Sequence, residues 1–96
     1  MVERRKYKRV TFYAEANYGY PGKITDISEN GAFIETLTPL QEKSFIVVKF
    51  KLPKGKELVI KAVVKNSMPG MGMGIEFIHQ KTEDKQALMD FINVGL

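Results

Sequence analysis

The residues best suited to chemistry stand close together near the start of the chain. Its only arginines, Arg4, Arg5 and Arg9, all lie within residues 3–9. Of 15 basic and 11 acidic residues, this segment holds five and one, which accounts for the whole net charge of +4. An arginine guanidinium is a planar fork of donors that fits phosphate oxygens or the O6/N7 edge of guanine. The segment therefore predicts a small anionic ligand with phosphate and a guanine; the alternative is a functionless basic terminus.

The spacing of two of these arginines narrows the kind of ligand. Arg5 and Arg9 are four positions apart, so they share a face in a strand and also in a helical turn. In an extended segment they would be about 13 Å apart, at roughly 3.3 Å per residue. That separation suits the two ends of a dinucleotide or a bent ligand better than a single phosphate.

A second stretch with side chains suited to ligand binding is Asp-Ile-Ser-Glu-Asn-Gly at residues 26–31. Asp26 and Ser28 are two apart on a predicted strand, so both side chains point to one face, while the side chain of Ile27 points to the opposite, inward face. A carboxylate can accept the N1–H and N2–H₂ groups of guanine, and a serine can donate and accept. Gly31 lets a backbone pass close to a ligand. The alternative is that Asp-x-Ser makes only local turn hydrogen bonds.

Period-two alternation of apolar and polar residues indicates the strands that must position these groups. In the predicted strand that holds the longest apolar stretch, we take Phe45 and Val47 as the apolar positions of the alternation, and Ile46 and Val48 as further candidates for them. Turn sequences rich in glycine, proline and asparagine separate the strands, and one such turn is predicted at residues 66–70. The six predicted strands cover residues 10–18, 23–28, 32–35, 43–52, 57–65 and 71–78.

A helix is predicted to follow the last strand. Thr82 can cap it, acids occupy its first turn, and Gly95 is suited to end it. An apolar stripe formed by Ala87, Leu88, Phe91 and Ile92 would face the core. Six short strands and one terminal helix predict an all-β fold, a small six-stranded antiparallel β-barrel with a C-terminal α-helix. A barrel this small is filled by its own side chains, so a ligand must bind outside or at the rim.

Composition excludes several classes of function. The chain has no cysteine and one histidine, so it offers no disulfide, no Cys/His metal cluster and no cysteine nucleophile. We therefore expect no catalytic residues, no metal and no enzymatic activity. The longest apolar runs are about four residues, against roughly 20 needed to span a bilayer. No signal-peptide pattern is found, and we expect a cytoplasmic protein without a membrane partner.

The two chemical stretches together resemble the PilZ domain family. In that pattern an Arg-x-x-x-Arg pair, here Arg5 and Arg9, precedes Asp-x-Ser-x-x-Gly, here residues 26–31. The resemblance continues through residues 31–34, residues 72–77 and the closing helix. It implies a single PilZ-like domain over residues 1–96, with a basic ligand-binding arm (1–9), the barrel (10–79) and the C-terminal helix (82–94).

PilZ domains are bacterial receptors for cyclic di-GMP (c-di-GMP), and the resemblance implies that ligand here, with no other cofactor. The arginine pair would engage phosphates and guanines, the strand motif would meet a guanine base, and the preceding arginine could add a third fork. The ligand-binding residues implied are Arg4, Arg5, Arg9, Asp26, Ser28 and Gly31. We expect no attached catalytic or motor-binding region, so signalling would proceed by ordering of the arm and through a protein effector or self-association as a homodimer.

Two alternatives remain open at this point. One is a small barrel that binds single-stranded nucleic acid by stacking bases on its tyrosines. The neutral charge outside residues 3–9 argues against it, because a groove that follows a nucleic-acid strand should be basic along its length. The other is a PilZ-like adaptor that binds protein but no nucleotide. The presence of the arginine pair argues against it, because some members of the family lack these arginines and do not bind nucleotide.

Overall fold

The computed structural model describes residues 8–94 as six strands followed by one helix. The strands close into an antiparallel barrel in the order β1-β2-β3-β6-β5-β4, and the helix follows the last strand. This architecture confirms the predicted fold class. The elements are β1 (Arg9–Asn17), β2 (Pro21–Ser28), β3 (Gly31–Glu35), β4 (Phe45–Lys51), β5 (Glu57–Met68), β6 (Gly72–His79) and α1 (Thr82–Val94).

The barrel interior is filled by apolar side chains from every strand. On β5, Leu58 and Ile60 are fully buried and Lys61 is exposed, which is the alternation expected of a strand with one face in the core. Ile34 of β3 and Met73 of β6 are fully buried as well. Each such side chain contributes about 1.5–3 kcal/mol by leaving water.

The helix packs against the barrel next to its weakest seam. β1 pairs with β4 through only two residue pairs, and the N-terminal half of β1 lies beyond them. There the ring of Phe91 packs edge-on against Phe12, with centroids 4.9 Å apart, and Leu88 and Ile92 are buried in the core. The predicted apolar stripe of the helix is therefore confirmed. Gly95, its predicted end, lies outside the described residues.

The structure decides which side of β4 faces the core. Ile46 and Val48 are buried, whereas Phe45 is 77% exposed and Val47 is 46% exposed. Four consecutive apolar residues cannot show by alternation which of them face inward. Pairing with β5 resolves this, because Ile46 lies opposite the buried Ala62. Phe45 and Val47, named first among the apolar positions of this strand, therefore form part of the outer surface.

The β5–β6 hairpin is also tighter than predicted. β5 continues to Met68, so most of the turn expected at residues 66–70 is strand. Met68 pairs with Gly72, and the amide of Met71 donates to the carbonyl of Met68 at 2.9 Å. Gly70 takes a φ of +82°, which few residues other than glycine adopt readily.

Candidate functional site

A shallow cavity of about 490 Å³ lies on the outside of the barrel, between the end of β2 and the facing parts of β5 and β6. The barrel interior is occupied by core side chains, so this position agrees with the expectation of an external site. Arg4 and Arg5 lie outside the described residues. The cavity brings together the other four predicted site residues, Arg9, Asp26, Ser28 and Gly31.

Asp26 faces this cavity because β2 contains an extra residue. The pairing of β2 with β3 shifts between Ile24 and Asp26, which is the mark of a β-bulge. Ile24 and Ile27 are three positions apart, yet both are fully buried, which strict alternation would not allow. The bulge lets both isoleucines enter the core and leaves Asp26, half-buried, at the cavity.

Arg9, the first residue of β1, reaches Asp26 across the sheet. Arg9 pairs with Ser28, which makes Asp26 its diagonal neighbour. The guanidinium Nη1 donates to Asp26 Oδ1 at 2.5 Å, and about a third of each side chain is exposed. Ion pairs this exposed contribute roughly 0–1 kcal/mol to stability. The pair can therefore open at little cost and offer both groups to a ligand.

Ser28 uses its hydroxyl to shape the turn between β2 and β3. The side chain is only 4% exposed. Its Oγ accepts from the amide of Asn30 at 3.1 Å and donates to the carbonyl of Gly31 at 3.4 Å. These are the local turn hydrogen bonds considered as an alternative for the Asp-x-Ser motif. Within the described part of the chain, Ser28 therefore acts by holding the turn at the edge of the cavity.

Gly31 has a structural reason to be glycine. A Cβ at this position would come within 2.2 Å of the carbonyl oxygen of Ile75, which no side chain could tolerate without moving the backbone. Gly31 pairs with Glu76, so the closeness of β3 and β6 starts at this residue. The glycine thus permits the strand packing that forms the cavity floor, in addition to any approach of a ligand.

A second polar cluster forms the opposite wall. Lys65 Nζ lies 3.7 Å from Glu76 Oε1, and Asn30 Nδ2 donates to Glu76 Oε2 at 3.3 Å. Asn66 Oδ1 accepts from the amide of Gly74 at 3.2 Å. The charged residues that line the cavity are thus two cations, Arg9 and Lys65, balanced by two anions. Among residues 8–94, the cavity walls carry no excess of positive charge.

The turn at Glu29 and Asn30, between β2 and β3, is also held by β6 and by the residue that follows it. The amide of Phe77 donates to the carbonyl of Asn30 at 2.9 Å, and Gln80 Nε2 donates to the carbonyl of Glu29 at 3.2 Å. Three independent sets of bonds, including those of Ser28, therefore hold the turn. Hydrogen bonds of this kind fix the position of the side chains that would contact a ligand.

Sequence reasoning missed the β5 and β6 side of the site. Lys65 and Asn66 come at the point where the apolar alternation of β5 stops, and Glu76 stands between two buried residues of β6. These polar positions could have been noticed, but their place beside Asp26 depends on long-range pairing. The residues added by the structure are Asn30, Ala32, Phe33, Lys65, Asn66, Met68, Gly74, Ile75 and Glu76.

Over residues 8–94, no three histidine, cysteine or acidic side chains are grouped so as to hold a metal ion. None of the helical segments described is both long and apolar enough to traverse a bilayer.

Three solved structures resemble this fold closely. The Bacillus subtilis inhibitor of motility, MotI/DgrA, has a TM-score of 0.87 at 19% identity, over 98% of this chain and 51% of that one. The chain thus spans about half the length of MotI/DgrA. The PilZ domain of Escherichia coli YcgR with c-di-GMP has a TM-score of 0.76 at 16% identity, over 96% and 91% of the two chains.

The PilZ domain of CeSA from a cellulose-synthesizing bacterium has a TM-score of 0.68 at 17% identity, over 91% of this chain and 96% of that one. No curated protein sequence matches significantly. At these identities the structures show the shared fold. The sequence model of the PilZ domain matches residues 3–93, nearly the whole chain. The chain therefore belongs to the PilZ domain family.

Proposed function

We propose that this chain is a c-di-GMP receptor that holds its ligand in the cavity beside Arg9 and Asp26. The family is one of c-di-GMP receptors and adaptors, and the E. coli YcgR domain of the same fold is described with that ligand. The observation that carries the proposal is the meeting of Arg9, Asp26, Ser28 and Gly31 at one cavity. Its volume of about 490 Å³ falls in the usual range for ligand sites, about 300–1,000 Å³.

The Arg9–Asp26 pair supplies the two kinds of contact that this ligand needs. The guanidinium fork can turn to a phosphate or to the O6/N7 edge of guanine. Asp26 Oδ2, which has no hydrogen-bond partner among the described residues, can accept from guanine N1–H and N2–H₂. A good bidentate contact to guanine gives about 1–3 kcal/mol of discrimination, and micromolar binding needs about 8 kcal/mol in total.

The charge balance of the cavity gives the basic arm a role. Arg9 and Lys65 are offset by Asp26 and Glu76, so the described walls do not favour a ligand with two negative charges. In this proposal Arg4 and Arg5 supply the missing positive charge by folding over the bound ligand. Ordering of a segment on binding has a cost in entropy, which lowers affinity but makes the ordered state a signal.

The signal would pass to another molecule. We propose that the ordered arm and the occupied cavity change the surface that a protein effector, or a second copy of this chain, recognises. Action in the cytoplasm of a bacterium is part of the same proposal.

Calorimetric titration of c-di-GMP into the full chain at about 150 mM salt tests the proposal. GMP and a short single-stranded RNA serve as ligand controls, and Lys23→Ala, an exposed lysine of β2 away from the cavity, serves as the variant control. We expect saturable binding of c-di-GMP alone, and its stoichiometry gives one ligand or two per chain. RNA binding that falls steeply with salt would favour a nucleic-acid barrel. No binding of any ligand would favour a protein-only adaptor.

A further inference from the structure

The outer face of β4 and β5 carries an unusual mixture of apolar and basic side chains. Three of its apolar side chains are well exposed: Phe45 at 77%, Val47 at 46% and Val59 at 41%. A fourth, Val63, is half-buried. We define the β4–β5 outer face as Phe45, Val47, Lys49 and Lys51 of β4 with Val59, Lys61 and Val63 of β5.

The strand register makes the apolar side chains one continuous band. Phe45 lies opposite Val63, and Val47 follows Phe45 on the same side of β4. Val59 lies diagonally from Val47, a separation of about 7–8 Å between Cα atoms, within reach of side-chain contact. Contiguous exposed apolar surface of this kind marks interaction sites more often than scattered apolar residues do.

Lysines are interleaved with this band rather than placed around it. Lys61 lies opposite Val47, and Lys49 lies opposite Val59. Within residues 8–94, lysine ion pairs are formed by Lys56 and Lys65 and not by the lysines of this face. Lys51 has Glu57 directly opposite it in the register, whereas no acid lies directly opposite Lys49 or Lys61.

We propose that the β4–β5 outer face docks a protein partner through a short segment that presents apolar and acidic side chains side by side. Charge complementarity selects acids to meet Lys49 and Lys61, and the band selects apolar side chains to meet Phe45 and Val47. Seven side chains are few compared with roughly 20–30 per partner in a standard interface, so a single bound segment with moderate affinity fits this face.

A protein segment suits this face better than a lipid surface does. The lysine and valine side chains of each cross-strand pair leave the sheet at the same level, and the lysine is the longer of the two, so its ammonium group does not lie behind the apolar groups. A bilayer separates its charges from its apolar chains by depth, whereas neighbouring side chains of a peptide offer both at one level.

The face is also continuous with the cavity of the candidate site. β5 carries Val59, Lys61 and Val63 in its first part and contributes Lys65 and Asn66 to the cavity in its second. Val63 and Lys65 are two residues apart, or about 6–7 Å along a strand. A segment on the face would thus lie next to the cavity, although the docking itself does not depend on what the cavity binds.

Selection of a phage-displayed library of random short peptides on the full chain tests the proposal. The double variant Lys49→Glu/Lys61→Glu serves for counter-selection, and Lys81→Glu/Lys85→Glu, which reverses two exposed lysines elsewhere, is its charge-matched control. Thermal unfolding establishes that both double variants remain folded. Selected peptides are then synthesised and titrated, and their contacts are mapped by amide chemical shifts of the labelled chain.

We expect enriched peptides that combine acidic and apolar residues and shift the amides of β4 and β5. Their affinity should fall at least about tenfold in Lys49→Glu/Lys61→Glu and in Val47→Ser, and stay within about twofold in the control. Replacing the acids of a peptide by lysine should restore its binding to the Lys49→Glu/Lys61→Glu chain.

Three results would overturn the proposal. The first is no enrichment over the counter-selected variant, and the second is a set of peptides whose shifts lie elsewhere on the barrel. The third is Lys49- and Lys61-dependent binding to phosphatidylcholine vesicles containing phosphatidylglycerol without peptide binding, which would assign the face to an anionic membrane.

Discussion

The cavity and the β4–β5 outer face are built on one barrel and share β5, yet they treat their charges differently. In the cavity, Arg9 meets Asp26 and Lys65 meets Glu76, so each cation has an acidic partner. On the outer face, Lys49 and Lys61 stand opposite valines. The cavity is supported by hydrogen bonds to the turn after β2, whereas the outer face combines apolar side chains with lysines and is formed by plain strand pairing.

This difference indicates two ways in which a small barrel can hold charge for recognition. A paired cation on the surface is oriented by its partner, and it can exchange that partner for a ligand at little cost. An unpaired cation beside apolar side chains favours a partner that brings the opposite charge and covers the apolar surface. The first arrangement suits a small anionic ligand, and the second suits a chain segment.

The largest expected effect is a difference in stability between a variant of the core and a variant of the outer face above it. Ile46→Ala should lower the free energy of unfolding by about 2–5 kcal/mol, because it leaves a cavity under β4. Phe45→Ala, one residue away, should change it by about 0.5 kcal/mol or less, since that ring is 77% exposed. Urea unfolding of the two variants measures both. Equal losses would contradict the assignment of Phe45 to a surface available for docking.

The next effect concerns the floor of the cavity. Gly31→Ala should destabilise the chain by about 1–3 kcal/mol, because the added Cβ meets the backbone oxygen of Ile75 and must push β3 from β6. Gly55→Asn is the matched control: its Cβ would meet nothing within 4 Å, and asparagine tolerates positive φ. Urea unfolding again gives the values. A Gly31→Ala chain as stable as the control would mean that β3 and β6 separate easily at the cavity.

A smaller effect, in binding rather than stability, tests the paired cation. Arg9→Ala should weaken c-di-GMP binding at least about tenfold, or about 1.4 kcal/mol, while the fold stays intact. Lys8→Ala, which removes an exposed cation next in sequence, should change the affinity less than about threefold. Calorimetric titration with a thermal melt of each variant measures both quantities. Arg5→Ala is expected to behave as Arg9→Ala does, and retained affinity in both would disprove the proposed role of the arginine pair.

Most of the fold could be predicted because local patterns and long-range packing agree. β5 alternates cleanly from Leu58 to Val64, and its buried residues are those that the pattern indicates. The pattern failed in β4, where consecutive apolar residues hide the alternation and only pairing with β5 decides which side faces the core. It was also silent about the bulge in β2, since an extra residue in a strand is visible only through its partner.

The site could be predicted only where its residues form motifs along the chain. Arg9 and Asp26 are near enough in sequence, on paired strands, for their meeting to follow from a hairpin between β1 and β2. Lys65 and Glu76 reach the cavity through pairing of β5 with β6 and of β6 with β3, which no local pattern encodes. The role of Ser28 in holding the turn required its hydrogen bonds to be seen.

The smallest expected effect decides whether the Arg9–Asp26 pair is there for recognition or for stability. Asp26→Asn removes the ion pair but keeps the size of the side chain, and each partner is about one-third exposed. The free energy of unfolding should therefore change by about 1 kcal/mol or less. Urea unfolding at low and high salt measures the change, and the difference from the unaltered chain should shrink as salt screens the pair.

The same variant should lose more in binding than in stability. Without the carboxylate, c-di-GMP affinity should fall about tenfold, together with its preference over cyclic di-AMP, because the guanine N1–H and N2–H₂ donors lose a charged acceptor. Glu15→Gln, an exposed carboxylate of β1, is the matched control and should leave both quantities unchanged. A loss of several kcal/mol in stability at any salt concentration would instead make the pair a structural link between β1 and β2, and the contrast between paired and unpaired cations would lose its meaning for recognition.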